Sequence, residues 1–336
     1  MSDRATGGLE GAAHILRTLE ARLKSAVMGR DDVIELVLIA LIADGHVLLE
    51  DFPGSGKTTL ARALGDSIAA GAGVADIEGI APFRRIQFTP DLLPSDITGT
   101  NVFDMDAGGF EFRRGPIFAH VVLADEINRT SPKVQAAMLE AMGEKQVTID
   151  DRSIGLDDLF FVIATQNPID LAGTYPLPTP QLDRFLFKIR MEHIERDAEL
   201  AVLATYPERH LDRAASMETV TRADILAARE ASRRLVHLAP AMREALVDLA
   251  RGLREDARVL QGASTRSLVL LMPALQARAL LHGRDYVAPE DLEALAPHVF
   301  RHRLELAAGG DASQEVIGEQ LKPQLETLAR HSLMAQ

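Results

Sequence analysis

One stretch of the chain has residue types and spacing suited to holding a triphosphate: Phe52–Thr59, which reads FPGSGKTT. It lies between a short apolar run, His46–Glu50 (HVLLE), and a stretch with helical spacing from Lys57 to about Ala70. That is the strand–loop–helix setting a phosphate loop requires. Gly54 and Gly56 let the backbone approach the phosphates, where a Cβ would clash or forbid the needed φ. Successive N–H groups and the helix N-terminus bind the anionic oxygens. Lys57 can reach the β- and γ-phosphates, and Thr58 supplies a hydroxyl for Mg²⁺. Pro53, Ser55 and Thr59 complete the loop. The first glycine of the G-x-x-x-x-G-K-[ST] pattern is replaced by Asp51, at the strand exit rather than on the phosphates, so the departure is tolerable. A Gly-rich turn that binds nothing would leave GKTT and its flanking elements unexplained.

Four further signals follow in chain order. HVVLADEINR (His120–Arg129) delivers Asp125 and Glu126 at the C-terminal end of an apolar strand, the edge where open α/β sheets bind ligands. Asp125 would hold Mg²⁺ and Glu126 would orient and polarise an attacking water. An acidic pair after a strand is by itself commonly a solvated loop, and only its coupling to a phosphate loop favours the chemical reading. Asn167, in TQNP after a second strand, can hold a water or a γ-phosphate oxygen, or simply start a turn before Pro168. Arg184, in QLDRF, could pair with Asp183 or donate a guanidinium to a neighbouring subunit's γ-phosphate. Arg266, in GASTRS, falls in the first turn of a helix that Ser264 would cap. A cation there opposes the helix dipole, a small cost that suggests another purpose.

These residues need a frame. Short apolar runs at His46–Glu50, Arg85–Phe88, His120–Ala124, Phe160–Thr165 and Phe185–Arg190 alternate with helical stretches, which argues for a parallel α/β sheet. Leu9–Ala26 reads as an amphipathic helix with Ile15, Leu16, Leu19 and Leu23 on one side, and Val33–Ala43 as a densely apolar one. After about Met191 the strand signals stop and five helical stretches follow, then a last one near Ser313–His331. The expected domains are an N-terminal helix (1–25), a nucleotide-binding core (26–192) and a helical lid (193–336).

The composition excludes several classes. The 336 residues contain no cysteine, so disulfides, Cys-based zinc sites and thiol nucleophiles are ruled out, and a reducing cytoplasm fits. With 36 Lys and Arg against 49 Asp and Glu the net charge is −13, which disfavours broad nucleic-acid binding. The ten histidines show no close ligand spacing with carboxylates. The N-terminal residues have no apolar run, so no secretory signal is expected. The longest apolar runs, Leu36–Ala43 and Leu268–Leu275, are far shorter than the ~18 residues of a membrane span.

The ordered set FPGSGKTT, LADEINR, TQNP, QLDRF and GASTRS resembles the AAA+ ATPases, and more closely the MoxR family. GHVLLEDFPGSGKTTLARAL, GPIFAHVVLADEINRTSPKVQAAMLEAMGEKQVTID, ATQNPIDLAGTYPLPTPQLDRFLFKI and GRDYVAPEDLEALAPHVFRHRL carry the closer match, from about Ser25 to Leu306. Asp51 is usual in that family. The resemblance implies an AAA+ P-loop fold with a five-stranded parallel core and a smaller all-α lid. It assigns Lys57 and Thr58 to Walker A, Asp125 and Glu126 to Walker B, and Asn167 to sensor 1. Arg184 becomes the arginine finger acting in trans, and Arg266 sensor 2, reaching the γ-phosphate from the lid. Val27, Met28 and Gly29 match the segment that packs on adenine. Phe103–Phe112 and Val147–Ile154 read as two hairpin insertions, one within helix 2 of the core and one before sensor 1, facing a central pore or a partner. His46 and Arg129 sit in family-typical stretches without an assignable role.

The function implied is Mg²⁺-dependent ATP hydrolysis by a ring, expected to be a hexamer, that remodels or matures a client protein or complex. Partners of such ATPases commonly carry a von Willebrand factor A (VWA) domain. A nucleotide-dependent binding switch without turnover would need a lost base, finger or Mg²⁺ ligand, and none is lost. A DNA-acting motor is disfavoured by the acidic charge and the absence of a GAFTGA-type loop.

Overall fold

A computed structural model describes residues 8–50, 54–69, 79–106, 108–150, 152–167, 173–205, 217–307 and 312–334. Helix α1 (Leu9–Ala26) buries Ala12, Ile15, Leu16, Leu19 and Leu23 along one stripe, as its 3.6-residue periodicity requires. Helix α2 (Asp31–Ala43) is apolar and buried almost all round, and ends where Asp44 turns left-handed at φ 63°. Strand β1 (Val47–Glu50) leads to the phosphate loop and α3 (Lys57–Asp66). Then come β2 (Ala81–Gln87), β3 (Ala119–Asp125), α4 (Pro132–Glu144), β4 (Phe161–Gln166) and β5 (Phe187–Arg190).

The five strands form one sheet in the order β5-β1-β4-β3-β2, with every pairing parallel. Consecutive residues of each central strand serve opposite faces. Val47, Leu49, Val121, Leu123, Phe161 and Ile163 join α1–α3 in one hydrophobic cluster. Leu48, Val122, Ala124, Val162 and Ala164 join α4 in the other. Burial on both faces is why these strands read as continuous apolar runs.

Helices α5 (Arg196–Thr205), α6 (Arg222–Leu235), α7 (Pro240–Glu255), α8 (Thr265–Leu281), α9 (Pro289–Phe300) and α10 (Ser313–Met334) follow. The lid region also carries one small antiparallel pair, Val259–Gln261 with Glu305–Leu306. Helix α6 packs on α1 and α2, and α8 on α2, so lid helices share the first cluster. Both expected hairpins form, from Gly99–Asp104 with Gly109–Arg114 and from Gln146–Ile149 with Arg152–Gly155. The first one follows a helical turn, Pro94–Thr98, but does not interrupt a helix as expected. Residues 115–118 alone separate it from β3, too few for the helix to resume.

His46 acquires a structural role. Its Nε2 donates to the carbonyl of Met142 at 3.1 Å, and the Val162 N–H donates to its Nδ1 at 3.1 Å. The neutral ring thus ties the entry of β1 to β4 and the end of α4. Burial pushes its pKa down to about 4, outweighing the opposing bond to Met142. As pH falls from about 6.5 the unfolded chain takes a proton that the folded chain refuses. Stability is therefore full above about 6.5 and falls by ~1.4 kcal/mol per pH unit until the folded pKa is reached, roughly 3 kcal/mol in all. Urea midpoints at pH 7 and pH 5 should show this loss, and a His46→Gln variant should show a shallower one. An equal slope in the variant would contradict the assignment.

Candidate active site

The phosphate loop leaves the C-terminal end of β1, and the structure describes it from Gly54 onward; Asp51–Pro53, like Pro168, lie outside the described residues. Gly54 and Gly56 have φ of 92° and 93°, a region L side chains rarely enter. Among the described residues a Cβ on Gly54 would meet nothing within 4 Å, room for a ligand over the loop. A cavity of about 680 Å³ begins there, lined by Val27, Met28, Gly54, Ser55, Gly56 and Thr59. That volume lies in the range of small-molecule sites, roughly 300–1,000 Å³. The structure thus brings Val27 and Met28, the residues expected to pack on adenine, into one cavity with the phosphate loop. Gly29 stands behind them against α5, where a Cβ would come within 2.6 Å of Ala198 Cβ. Val202 and Leu203 of α5 close the apolar end.

Asp125 and Glu126 stand at the end of β3, on the same sheet edge. The Lys57 ammonium lies 3.4 Å from Asp125 Oδ1, showing that this carboxylate accepts a cation. Thr165 Oγ1 donates to Asp125 Oδ1 at 2.7 Å, and Arg85 donates to Oδ2 at 2.7 and 3.1 Å. Burial alone would raise the Asp125 pKa. The Thr165 bond and the Arg85 and Lys57 cations outweigh it and hold the carboxyl below its ordinary value. An ionised carboxylate and the Thr58 hydroxyl, in the first turn of α3, are the hard oxygen donors that suit Mg²⁺ with phosphate and water completing its shell. Among the described residues no group of three His, Asp or Glu could hold a metal.

Glu126 takes a left-handed conformation, φ 59°, with its N–H donating to Thr165 Oγ1 at 2.8 Å. Its Oε2 accepts from Gln87 Nε2 at 2.9 Å and faces Arg129 Nε at 3.2 Å. Asn167 follows the end of β4 on that edge. Sequence reasoning missed Thr165, Arg85 and Gln87. The available signal was the two-residue spacing of Arg85 and Gln87 at the end of an edge strand, which gains meaning only through the register that sets Gln87 opposite Asp125.

Arg184 and Arg266 are elsewhere. Both line a cavity of about 310 Å³ with Gly45 and His46, at the entry of β1. The phosphate loop leaves the other end of that strand, roughly 13 Å away at 3.3 Å per residue. Arg184 precedes β5 and donates to the carbonyl of Leu139 at 2.7 Å. Arg266 lies 3.9 Å from Asp183 Oδ2. The expectation that Arg266 holds its own chain's phosphates is therefore not met. The packing of α8 on α2 carries the residue to the opposite sheet edge.

Comparison with known proteins agrees with this architecture. The family profile described as "ATPase family associated with various cellular activities (AAA)" matches residues 46–187, and that of the AAA lid domain residues 251–323. The chain is 46% identical to the uncharacterised protein YeaC of Bacillus subtilis, covering 84% of this chain and 85% of that one. It is 36% identical to chaperone MoxR1 of Mycobacterium tuberculosis, over 93% and 82%. A crystal structure of a candidate ATPase from Cytophaga hutchinsonii superposes with a TM-score of 0.82 at 33% identity, covering 94% of this chain and 95% of that one. Sheet order, phosphate loop, helical lid and these relatives together place the chain in the MoxR family of AAA+ ATPases.

Proposed function

We propose that the chain is an Mg²⁺-dependent ATPase whose sites are completed between subunits of a ring. The observation that carries this reading is the separation of its catalytic groups. Lys57, Thr58, Asp125, Glu126 and Asn167 belong to the C-terminal edge of the sheet, whereas Arg184 and Arg266 share a cavity at the N-terminal edge. Two arginines that cannot serve their own phosphate loop can serve a neighbour's.

In this mechanism Lys57 and the loop N–H groups hold the phosphates, and Val27 and Met28 pack on the base. Thr58 and Asp125 would hold Mg²⁺, which would supply neutralisation of the phosphate charge. Glu126, restrained by Gln87 and Arg129, orients and deprotonates the attacking water, with Asn167 fixing its position. Arg184 and Arg266 of the adjacent subunit stabilise the charge that develops on the γ-phosphoryl group.

The work done is remodelling of a protein client, in keeping with the chaperone name of one relative. The first hairpin supports this: Phe103, Met105 and Phe110 are 53–88% exposed, with the two rings stacked edge-on at 5.3 Å. Asn101 donates to Asp150 at 2.7 Å, so the two hairpins form one surface. A VWA-domain partner, a hexameric ring and a cytoplasmic location complete the reading. Among the described residues no helix is long and apolar enough to cross a membrane.

Phosphate release per subunit, measured against protein concentration with assembly size followed in parallel, tests the proposal. The rate should rise steeply as assemblies form and vanish on chelation of Mg²⁺. A flat, non-zero rate per subunit would mean that each chain is self-sufficient.

A further inference from the structure

Arg184 does not project from its loop unsupported. The backbone on both sides of it is fixed by Arg303, which follows α9 in the lid and is 3% exposed. Arg303 donates from Nε to Asp183 Oδ1 at 2.6 Å, from Nη2 to the carbonyls of Asp183 and Phe185 at 3.2 and 2.7 Å, and from Nη1 to that of Leu186 at 3.2 Å. His302 Nε2 adds a bond to the Phe185 carbonyl at 3.1 Å. Asp183 also faces Arg266, so both arginines of this edge are tied to one anchor.

The guanidinium itself rests on the last turns of α4. It donates to the Leu139 carbonyl, and it occupies the space a side chain at Gly143 would fill: a Cβ built there overlaps Arg184 Nη1. Glycine is a poor choice inside a helix on propensity grounds, and at this position it provides room for the arginine. We propose that Gly143 is a positioning residue for catalysis in trans: with the Leu139 carbonyl it forms the seat that aims Arg184 at the neighbour's γ-phosphate. The inference rests on the reading of Arg184 given above. Because Arg303 holds the loop backbone, a methyl group at residue 143 displaces the tip of a flexible side chain and leaves the loop in place. Alanine also favours helix over glycine, so the fold does not oppose the substitution.

The test is steady-state ATP hydrolysis by assembled Gly143→Ala, beside the parent and Arg184→Ala, with assembly size and nucleotide affinity measured for each. Gly143→Ala is expected to lower kcat by about 10- to 100-fold, the cost of misplacing a transition-state group by about an ångström, with KM and affinity little changed. Adding Glu126→Gln subunits, whose own sites are inactive but whose Arg184 is correctly seated, should restore turnover at the Gly143→Ala sites. A kcat within about threefold of the parent while Arg184→Ala is inactive would overturn the inference and leave the reading of Arg184 standing. A lowered kcat that Glu126→Gln subunits do not restore would overturn it too, since the defect would then lie in the variant's own site. Full turnover by Arg184→Ala would overturn both.

Discussion

A Glu126→Gln variant is expected to bind ATP as the parent does and to turn it over about 10²- to 10⁴-fold more slowly, the usual contribution of a general base. The two effects separate because the structure separates their sources. Phosphate affinity comes from the loop at Gly54–Lys57 and from the N-terminus of α3, which Glu126 does not build. The carboxylate of Glu126 is held by Gln87 and Arg129 on the β2–β3 side of the sheet edge. Glutamine keeps the shape and an acceptor oxygen but cannot take a proton from water. Fluorescent-nucleotide binding and phosphate release on the same preparation check this. A loss of affinity comparable to the loss of turnover would assign Glu126 to binding instead.

The second large effect is expected from a residue that lies outside its own nucleotide cavity. Arg184→Ala should lower turnover by about 10³- to 10⁵-fold, the range for removing a trans arginine, while its own phosphate loop still binds ATP. The described hydrogen bond of Arg184 is to the Leu139 carbonyl, and the residue lines the cavity at the entry of β1, the end of the strand away from the phosphate loop. Binding lost together with turnover, at unchanged assembly size, would contradict the account.

What the sequence revealed about this site follows the range of the interactions involved. The phosphate loop and the Asp125–Glu126 pair were legible because strand, turn and helix propensity fix them within ten residues. The five strands were legible as apolar runs, with ends displaced by one or two residues, as at Phe185 against the observed start at Phe187, except that β2 starts at Ala81, four residues before the expected Arg85. Whatever depends on register was not. Thr165 and Gln87 reach Asp125 and Glu126 only because β4 and β2 lie on either side of β3. The position of Arg266 depended on how α8 packs on α2, which no local pattern encodes, and the expected reach to its own phosphates failed there. His46 and Arg303 look like ordinary polar residues in sequence. Each acquires its role from carbonyls contributed by distant segments, Met142 for one and Asp183 to Leu186 for the other.

The claim that catalysis is shared between subunits is tested most directly by mixing two inactive variants. Arg184→Ala subunits keep Glu126 and their phosphate loop, and Glu126→Gln subunits keep Arg184. With random assembly and independent sites, at equal amounts about a quarter of the junctions join an intact Glu126 to an intact Arg184. Phosphate release should therefore be restored in the mixture, peak near equal amounts and fall toward either pure variant. Mixed assemblies of parental size that release no phosphate at any ratio would contradict it.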